Sequence, residues 1–193
     1  MRRLTIVLLA VLPAASLAAC GNERQHPPRA GQAADPVFGL DVKLPRYGVR
    51  FLQPANWPRE QPKPPQIASV NSGQVSLNIW RYPRQEMLPR NPGELLRARS
   101  ALVAAARARD RTLRVLSSRT LRLRGVPAVE LVALEKVGLA RRKVRSTHLY
   151  AYGGEVVVDA YAPPGEFAQV DRSVFGPVLR SVRLLPPEAP RRS

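Results

Sequence analysis

The chain has 193 residues, which is enough for one domain with a buried core. It carries 31 lysine and arginine residues against 14 aspartate and glutamate residues, a formal net charge of +17, so we expect a surface that attracts anions. A GC-rich genome would also produce such an arginine-rich composition. A single cysteine excludes an intramolecular disulfide, and no nucleic-acid-binding motif is present, so we expect no nucleic-acid partner.

The N-terminal segment has the layout of a secretory signal. Two arginines precede an apolar run over 4–12, which is too short to span a bilayer. The motif Leu-Ala-Ala directly before Cys20, with glycine behind it, resembles a bacterial lipoprotein lipobox. The resemblance implies that 1–19 is a signal peptide and that Cys20 carries a diacylglyceryl thioether. We therefore expect a lipid anchor on the outer face of the cell membrane, or on the outer membrane of a two-membrane cell.

Residues 20–45 carry little apolar periodicity and predict a lipidated cysteine with a flexible tether. The composition of 47–53 favours a strand, and five prolines make 54–65 a loop. Short strands are predicted over 67–70 and 75–80, joined by an Asn-Ser-Gly turn. In the second of them apolar and other side chains alternate, which indicates a strand with one buried face.

A helix is predicted over 92–108. Asn91 can cap it, Pro92 suits its first position, and Glu94 can reach back to the cap. Apolar side chains from Leu95 to Ala106 share one face of this helix, while arginines are offset toward solvent.

Four further strands are predicted over 113–123, 128–136, 142–152 and 155–162. Gly153-Gly154 is predicted to join the last two as a two-residue hairpin turn. A second helix begins near residue 166, with an interruption at Gly176-Pro177, and a short strand over 182–185 closes the domain. Tight turns between consecutive strands make them antiparallel neighbours, so the pattern predicts an α+β fold.

Three local patterns resemble the PsbP-like family. They are the segments 47–51 with Pro54 and Trp57, 123–128, and 175–184. The resemblance implies an α/β/α sandwich over 46–185, with a central, mainly antiparallel sheet of about six to eight strands and two main helices. The remaining tail, 186–193, is expected to be disordered. The family has no common enzymatic activity, and its members bind proteins or assist the assembly and transport of complexes.

The sequence contains no recognisable catalytic, metal or cofactor motif. It does suggest two candidate binding sites. A basic cluster at a hairpin mouth is a candidate anion site, formed by Arg141, Arg142, Lys143 and Arg145. If two strands share a face, aromatic side chains around one histidine form a candidate groove, namely Trp80, Tyr82, His148, Tyr150 and Tyr152. The alternatives are a solvated turn for the cluster and ordinary packing under a helix for the aromatic residues.

Three functions remain open at this stage. The leading hypothesis is a non-enzymatic, membrane-anchored binding or adaptor module for a cell-envelope protein complex. The second is a carrier or sensor of a lipid or anionic envelope glycan, which a cavity behind the second helix would favour. The third is a hydrolase whose site is assembled from scattered residues such as Ser146, His148 and Asp159.

Overall fold

The computed structural model describes residue 31 and residues 33–188. The predicted signal peptide, Cys20, the first part of the predicted tether and most of the predicted tail lie outside the described residues. In the part of the chain that the structure describes, no helix is both long and apolar enough to cross a membrane.

Ten strands and two helical segments make up the described fold. The strands are β1 (Phe38–Leu44), β2 (Val49–Pro54), β3 (Arg59–Glu60), β4 (Gln66–Ser72), β5 (Val75–Pro83), β6 (Arg114–Leu123), β7 (Val126–Val137), β8 (Ala140–Ala151), β9 (Gly154–Ala162) and β10 (Arg183–Leu184). Helix α1 spans Pro92–Arg109. The second helical segment consists of α2 (Phe167–Val170), a π-helical turn (Asp171–Phe175) and α3 (Gly176–Ser181). A 3₁₀ turn, Pro45–Tyr47, joins β1 to β2.

The strands form two sheets in which every pairing is antiparallel. The larger sheet has seven strands in the order β3-β4-β5-β9-β8-β7-β6, and the smaller has three in the order β1-β2-β10. The fold class is therefore the predicted α+β sandwich, with a central antiparallel sheet and two main helical segments. The sequence predicted six of the seven large-sheet strands, and it missed the two-residue β3.

The seven-stranded sheet has two unlike faces because side chains alternate along each strand. In β5, Val75, Leu77 and Ile79 are buried on one face. We call this face the core face, since the second helical segment and the small sheet cover it with apolar side chains. Asn78 and Trp80 point to the opposite face, which we call the open face.

The second helical segment closes the core face with a row of buried apolar residues. Phe167 and Phe175 pack with ring centroids 5.8 Å apart, and Val178 is 1 % exposed. The predicted interruption at Gly176-Pro177 takes the form of a π-helical turn, in which the Gly176 N–H donates to the Asp171 carbonyl. Proline has no N–H for the next helical bond, and the wider turn accommodates it without ending the segment.

Helix α1 covers part of the open face, above β6 and β7. The predicted capping box is present: Asn91 Oδ1 accepts from the Glu94 N–H at 2.9 Å, and Glu94 Oε2 accepts from the Asn91 N–H at 3.3 Å. Leu95 and Ala106 are buried on the sheet side, as their spacing predicted. Helix α1 packs on β6 and β7 and not across β5 and β9. Asn78, Trp80 and Tyr82 on the open face of β5 are partly exposed, while Glu155 and Val157 of β9 are buried between their neighbours.

The predicted start of the folded region is wrong, because β1 lies inside the segment expected to be a tether. Val42 is 5 % exposed and Leu44 is 8 % exposed, and residues 40–44 pair without interruption with β2. Only two side chains of β1 are fully buried. The apolar alternation that indicates a strand is therefore short and adjoins polar sequence, which is why the sequence did not predict β1.

The hairpin between β8 and β9 turns one residue earlier than predicted. Tyr152 and Gly153 occupy the turn with φ of 50° and 66°, and Ala151 pairs with Gly154. Gly154 belongs to β9, where a Cβ would lie 2.9 Å from the backbone carbonyl oxygen of Tyr82. A glycine is therefore needed at position 154, because a Cβ does not fit inside the sheet there. In the turn itself, Tyr152 adopts the left-handed backbone conformation although it is not a glycine.

Two glycines with positive φ allow a matched test of the close approach between Gly48 and the chain that follows β10. We expect Gly153→Ala to lower the free energy of unfolding by about 1 kcal/mol, because only backbone strain is added. Gly48→Ala adds the same strain and also places a Cβ 2.1 Å from the Leu185 carbonyl oxygen. We expect this variant to lose about 3 kcal/mol in urea denaturation. Equal losses would contradict the close approach at Gly48.

Candidate functional site

Three rows of open-face side chains cross β5, β9 and β8. The first row joins Asn78, Asp159 and Ser146, the second joins Trp80, Val157 and His148, and the third joins Tyr82, Glu155 and Tyr150. Neighbouring strands lie about 4.8 Å apart, so side chains in a row contact one another directly. The open face thus combines aromatic, acidic and hydroxyl groups in one area, in contrast to the apolar core face.

A continuous chain of polar contacts runs through these rows. Ser146 Oγ donates to Asp159 Oδ1 at 2.5 Å and lies 3.0 Å from His148 Nε2. His148 Nδ1 lies 2.5 Å from Glu155 Oε1, and Arg84 donates from Nε to Glu155 Oε2 at 3.0 Å. We call these five residues the polar relay. Each member orients the next, so the relay holds His148 in one position on the open face.

The two carboxylates of the relay have opposite electrostatic environments. Burial raises the pKa of Asp159, and the hydrogen bond from Ser146 only partly opposes this. Burial also acts to raise the pKa of Glu155, but the hydrogen bonds and charges of His148 and Arg84 outweigh it, so that pKa lies below its ordinary range. Glu155 is therefore a satisfied structural anion, whereas Asp159 is held at a cost in stability.

The relay has the connectivity of a serine–histidine–carboxylate set, yet two features oppose nucleophilic chemistry. The Ser146 hydroxyl has the Asp159 carboxylate as a closer acceptor, at 2.5 Å, than His148 Nε2 at 3.0 Å. Strand β8 lies between β7 and β9, so its backbone N–H groups are engaged in ladders and are not available to stabilise an oxyanion. The arrangement is better suited to positioning polar groups toward a ligand.

A groove of about 420 Å³ lies between the end of α1 and the open face, and we call it the α1 groove. Its lining residues are Trp80, Tyr82, Arg109, Asp110, Glu135, Lys136, Asp159 and Tyr161. The Trp80 and Tyr82 rings are stacked, with an interplanar angle of 8° and centroids 6.4 Å apart. Trp80 Nε1 is buried beside the Asp159 carboxyl, but no hydrogen bond of normal geometry to it is formed. Burial raises the pKa of Glu135 as well.

A second groove of about 620 Å³ lies at the end of the sheet, beside the β8–β9 hairpin. The segment 84–90 forms one side of it, and Tyr150 and Tyr152 form the other. Burial strongly raises the pKa of Tyr150, so its hydroxyl stays protonated.

The structure brings together four of the five residues predicted for the aromatic groove. Trp80, Tyr82, His148 and Tyr150 share the open face, while Tyr152 leaves the strand alternation and is 51 % exposed in the turn. The first two residues line the α1 groove, and Tyr150 lines the groove at the hairpin. The one predicted groove is therefore two neighbouring grooves, with His148 and the polar relay between them.

The four residues of the predicted anion site do not form one surface. Arg142 is 8 % exposed on the open face and donates to Gln74 Oε1 at 3.0 Å. Lys143 lies on the core face, with Nζ 4.8 Å from the ring centroid of Phe167. Strand alternation separates these side chains, because consecutive residues point to opposite faces.

Arg145 points to the core face, like Lys143, and its charge is neutralised there. Its Nη1 lies 2.5 Å from Asp171 Oδ1, and its Nε lies 3.4 Å from Glu130 Oε2. Only Arg141 of the predicted cluster is exposed. The four charges therefore point in different directions and do not converge on one anion.

Sequence reasoning missed Glu155, which holds His148 in the relay. The residue follows a hairpin turn and precedes three valines, so nothing in its local pattern indicates a functional carboxylate. The correct turn position would have placed Glu155 opposite Tyr150, one diagonal step from His148. Among the residues described, no group of three or more side chains is arranged to hold a metal ion.

Comparison with solved structures finds clear relatives in fold. Cyanobacterial PsbP (CyanoP) from Synechocystis superposes with a TM-score of 0.57 at 16% identity, covering 88% of this chain and 99% of that one. LpqN of Mycobacterium tuberculosis, described as involved in cell envelope biogenesis, gives 0.54 at 12% identity over 72% and 83% of the two chains. The Ran-binding protein Mog1p of Saccharomyces cerevisiae gives 0.50 at 10% identity over 76% and 95%.

Sequence comparison finds no matching family model and no matching curated protein. The structural likeness therefore rests on the arrangement of the elements, and at these identities it establishes the fold alone. The chain has the α+β sandwich of PsbP and Mog1p, which confirms the fold that the three local patterns indicated.

The two relay carboxylates predict opposite effects on stability. At pH 7, Asp159→Asn should raise the free energy of unfolding, because it removes a buried charge and keeps an acceptor for Ser146. Glu155→Gln should lower it by about 2 kcal/mol, because it leaves His148 and Arg84 without their anion. Urea denaturation measures both changes.

The pH dependence provides the control for this pair. A carboxyl whose pKa is raised by folding destabilises the folded state at any pH above that pKa. The gain in stability from Asp159→Asn should therefore shrink as the pH falls and wild-type Asp159 takes up a proton. A lowered pKa contributes stability that is lost as the pH falls below the ordinary glutamate range, so the deficit of Glu155→Gln should shrink there. Effects of the same sign at pH 7 would refute the assignment.

Proposed function

We propose that the protein is a non-enzymatic binding module of the cell envelope. In this proposal a lipid on Cys20 anchors it to a membrane, and the open face contacts a protein partner of an envelope complex. The lipobox-like motif supports export and anchoring, and the likeness in fold to LpqN is compatible with an envelope role.

The observation that carries this proposal is the unequal covering of the two sheet faces. Apolar elements cover the core face over β4, β5 and β9, whereas α1 covers only the β6–β7 side of the open face. Beside α1 the open face carries stacked aromatic rings, a buried indole N–H without a hydrogen bond of normal geometry, and two carboxylates with raised pKa values. Natural proteins accept such destabilising features at sites that bind a partner.

The carrier alternative gains little support from the packing behind the second helical segment. The side chains of Phe167, Val174, Phe175 and Val178 fill that interface and are each at most 4 % exposed. Neither of the two grooves lies there. A ligand of this protein would therefore contact the open face rather than enter the apolar core.

A hydrolase is the second candidate, and the polar relay is the observation that favours it. Ser146, His148 and Asp159 were predicted as scattered candidates, and they are in direct contact, with Glu155 completing a triad-like chain. The closer contact of the Ser146 hydroxyl with Asp159 and the engaged backbone of β8 argue against it. An assay with activated esters separates the two functions, because only a hydrolase requires the Ser146 hydroxyl.

Site-directed photocrosslinking tests the binding proposal in the native cells. With p-benzoylphenylalanine in place of Tyr82, we expect a discrete protein adduct in the membrane fraction, because Tyr82 lines the α1 groove. The control places the same probe at Leu52, which is 42 % exposed on the small sheet away from the open face. Adducts of equal yield and identity at both positions would contradict a binding site on the open face.

The Cys20→Ala variant tests the anchor in the same cells. We expect it to lose the lipid and leave the membrane fraction, with a fall of at least about tenfold in the Tyr82 adduct, since anchoring raises the local concentration. Retention of Cys20→Ala on the membrane would contradict lipid anchoring. Ester hydrolysis that disappears in Ser146→Ala would replace the binding proposal with the enzymatic one.

A further inference from the structure

The positive charge of the chain is concentrated in one stretch of sequence. Residues 90–124 contain ten arginines, no lysine and two acidic residues, a net charge of +8 out of the total of +17. Helix α1 and strand β6 account for most of this stretch. The surface expected to attract anions therefore lies on α1 and β6 and not at the β7–β8 hairpin.

The fold brings these arginines to one edge of the large sheet, with those of α1 on its open-face side and Arg114 and Arg119 on its core-face side. Strand β6 is the terminal strand of the seven-stranded sheet, and α1 packs against β6 and β7. We call α1 and β6 together, with the connecting residues 110–113, the arginine edge. Helix α1 is about 27 Å long and β6 is of similar length, so the edge is an extended surface and not a pocket.

Most of the charge on the arginine edge has no internal partner. Arg97, Arg107, Arg111 and Arg114 are exposed, and none of them forms an ion pair within 4 Å with a residue that the structure describes. Arg119 is the exception, since it pairs with Glu130 at 2.8 Å. An extended array of unpaired guanidinium groups matches a surface of phosphate groups, which arginine can bind through two parallel hydrogen bonds.

Two apolar side chains are exposed among these arginines. Leu96 on α1 is 47 % exposed, and Leu116 on β6 is 43 % exposed. Basic residues interspersed with exposed leucines are typical of surfaces that lie on a bilayer, where apolar side chains enter the headgroup region. An anionic polymer in water would benefit from the arginines alone.

We propose that the arginine edge docks on an anionic lipid bilayer. The guanidinium groups contact lipid phosphates, and Leu96 and Leu116 enter the headgroup layer. The choice of a bilayer rests on the proposed lipid anchor, which would hold the domain next to a membrane surface. Docking would orient the domain, so that its open face has a defined direction relative to the membrane.

The geometry of the anchored chain permits this contact. The described chain begins beside β4, where the Ala34 N–H donates to Ser72 Oγ at 2.9 Å. Strand β6 is five strand spacings from β4, about 24 Å away. Twelve residues lie between Cys20 and Ala33, and this segment can span at most about 45 Å when extended. A lipid at Cys20 and the arginine edge can therefore reach the same bilayer.

Vesicle binding by the unlipidated chain tests the proposal without the anchor. A chain that begins at residue 21 keeps every contact described above, because all of them lie within 31–188. We expect it to sediment with phosphatidylcholine vesicles containing about one third phosphatidylglycerol, and not with pure phosphatidylcholine. Binding should weaken at least about tenfold between about 0.05 and 0.5 M salt.

Two triple variants separate position from net charge. Arg97→Gln, Arg107→Gln and Arg114→Gln together should weaken vesicle binding about 100-fold, at about fivefold per arginine. The matched control removes three exposed arginines elsewhere, namely Arg59, Arg141 and Arg183, each replaced by glutamine. We expect the control to weaken binding less than about threefold, because it loses only long-range attraction.

Each other outcome overturns the proposal. Equal losses of vesicle affinity in the two triple variants would mean that net charge alone drives binding. Binding to a soluble polyphosphate but not to vesicles would indicate an anionic polymer as the partner. The test is independent of the open face: vesicle binding without a crosslink at Tyr82 would refute the proposed function only, and the reverse result would refute the docking only.

Discussion

Side-chain alternation along β5, β8 and β9 is the constraint on which the rest of the structure depends. In β5 it buries Val75, Leu77 and Ile79 on one face and leaves Asn78 and Trp80 on the other. The first face packs the second helical segment and the small sheet, and it supplies most of the apolar burial that stabilises the domain. Because that face provides the stability, the opposite face can carry aromatic and ionisable groups that contribute little to it.

The open face shows how these groups are held. Arg84 and His148 stabilise the Glu155 carboxylate, whereas burial destabilises the charge on Asp159. Helix α1 ends above this area and forms one wall of its groove, while its arginines continue outward onto the β6 edge. The same helix thus borders both proposed contacts. Docking of the arginine edge on a bilayer would set the direction in which the open face meets a protein partner.

The sequence predicts most helices and strands well, but it predicts poorly which residues are paired between neighbouring strands. The capping box at Asn91, the alternation in β5 and the apolar spacing after Phe167 are local patterns, and each was recognisable because its residues are close in sequence. The hairpin turn was placed one residue late, since two adjacent glycines suggested a turn where one of them serves sheet packing at Gly154. That shift would have paired His148 with Asp159 and hidden the contact with Glu155. Arg142 and Lys143 point to opposite faces because side chains alternate along β8. Four basic residues close together in sequence made them look like one cluster.

The central claim is that this protein binds through its open face while its core face stays closed. Hydrogen exchange of the lipidated chain in its native membranes, compared with the unlipidated chain in solution, tests it most directly. The account predicts added protection at the C-terminal turn of α1 and along β5 and β9, with no change in β1, β2 and β10. Added protection confined to the small sheet, with the open-face strands unchanged, would contradict it.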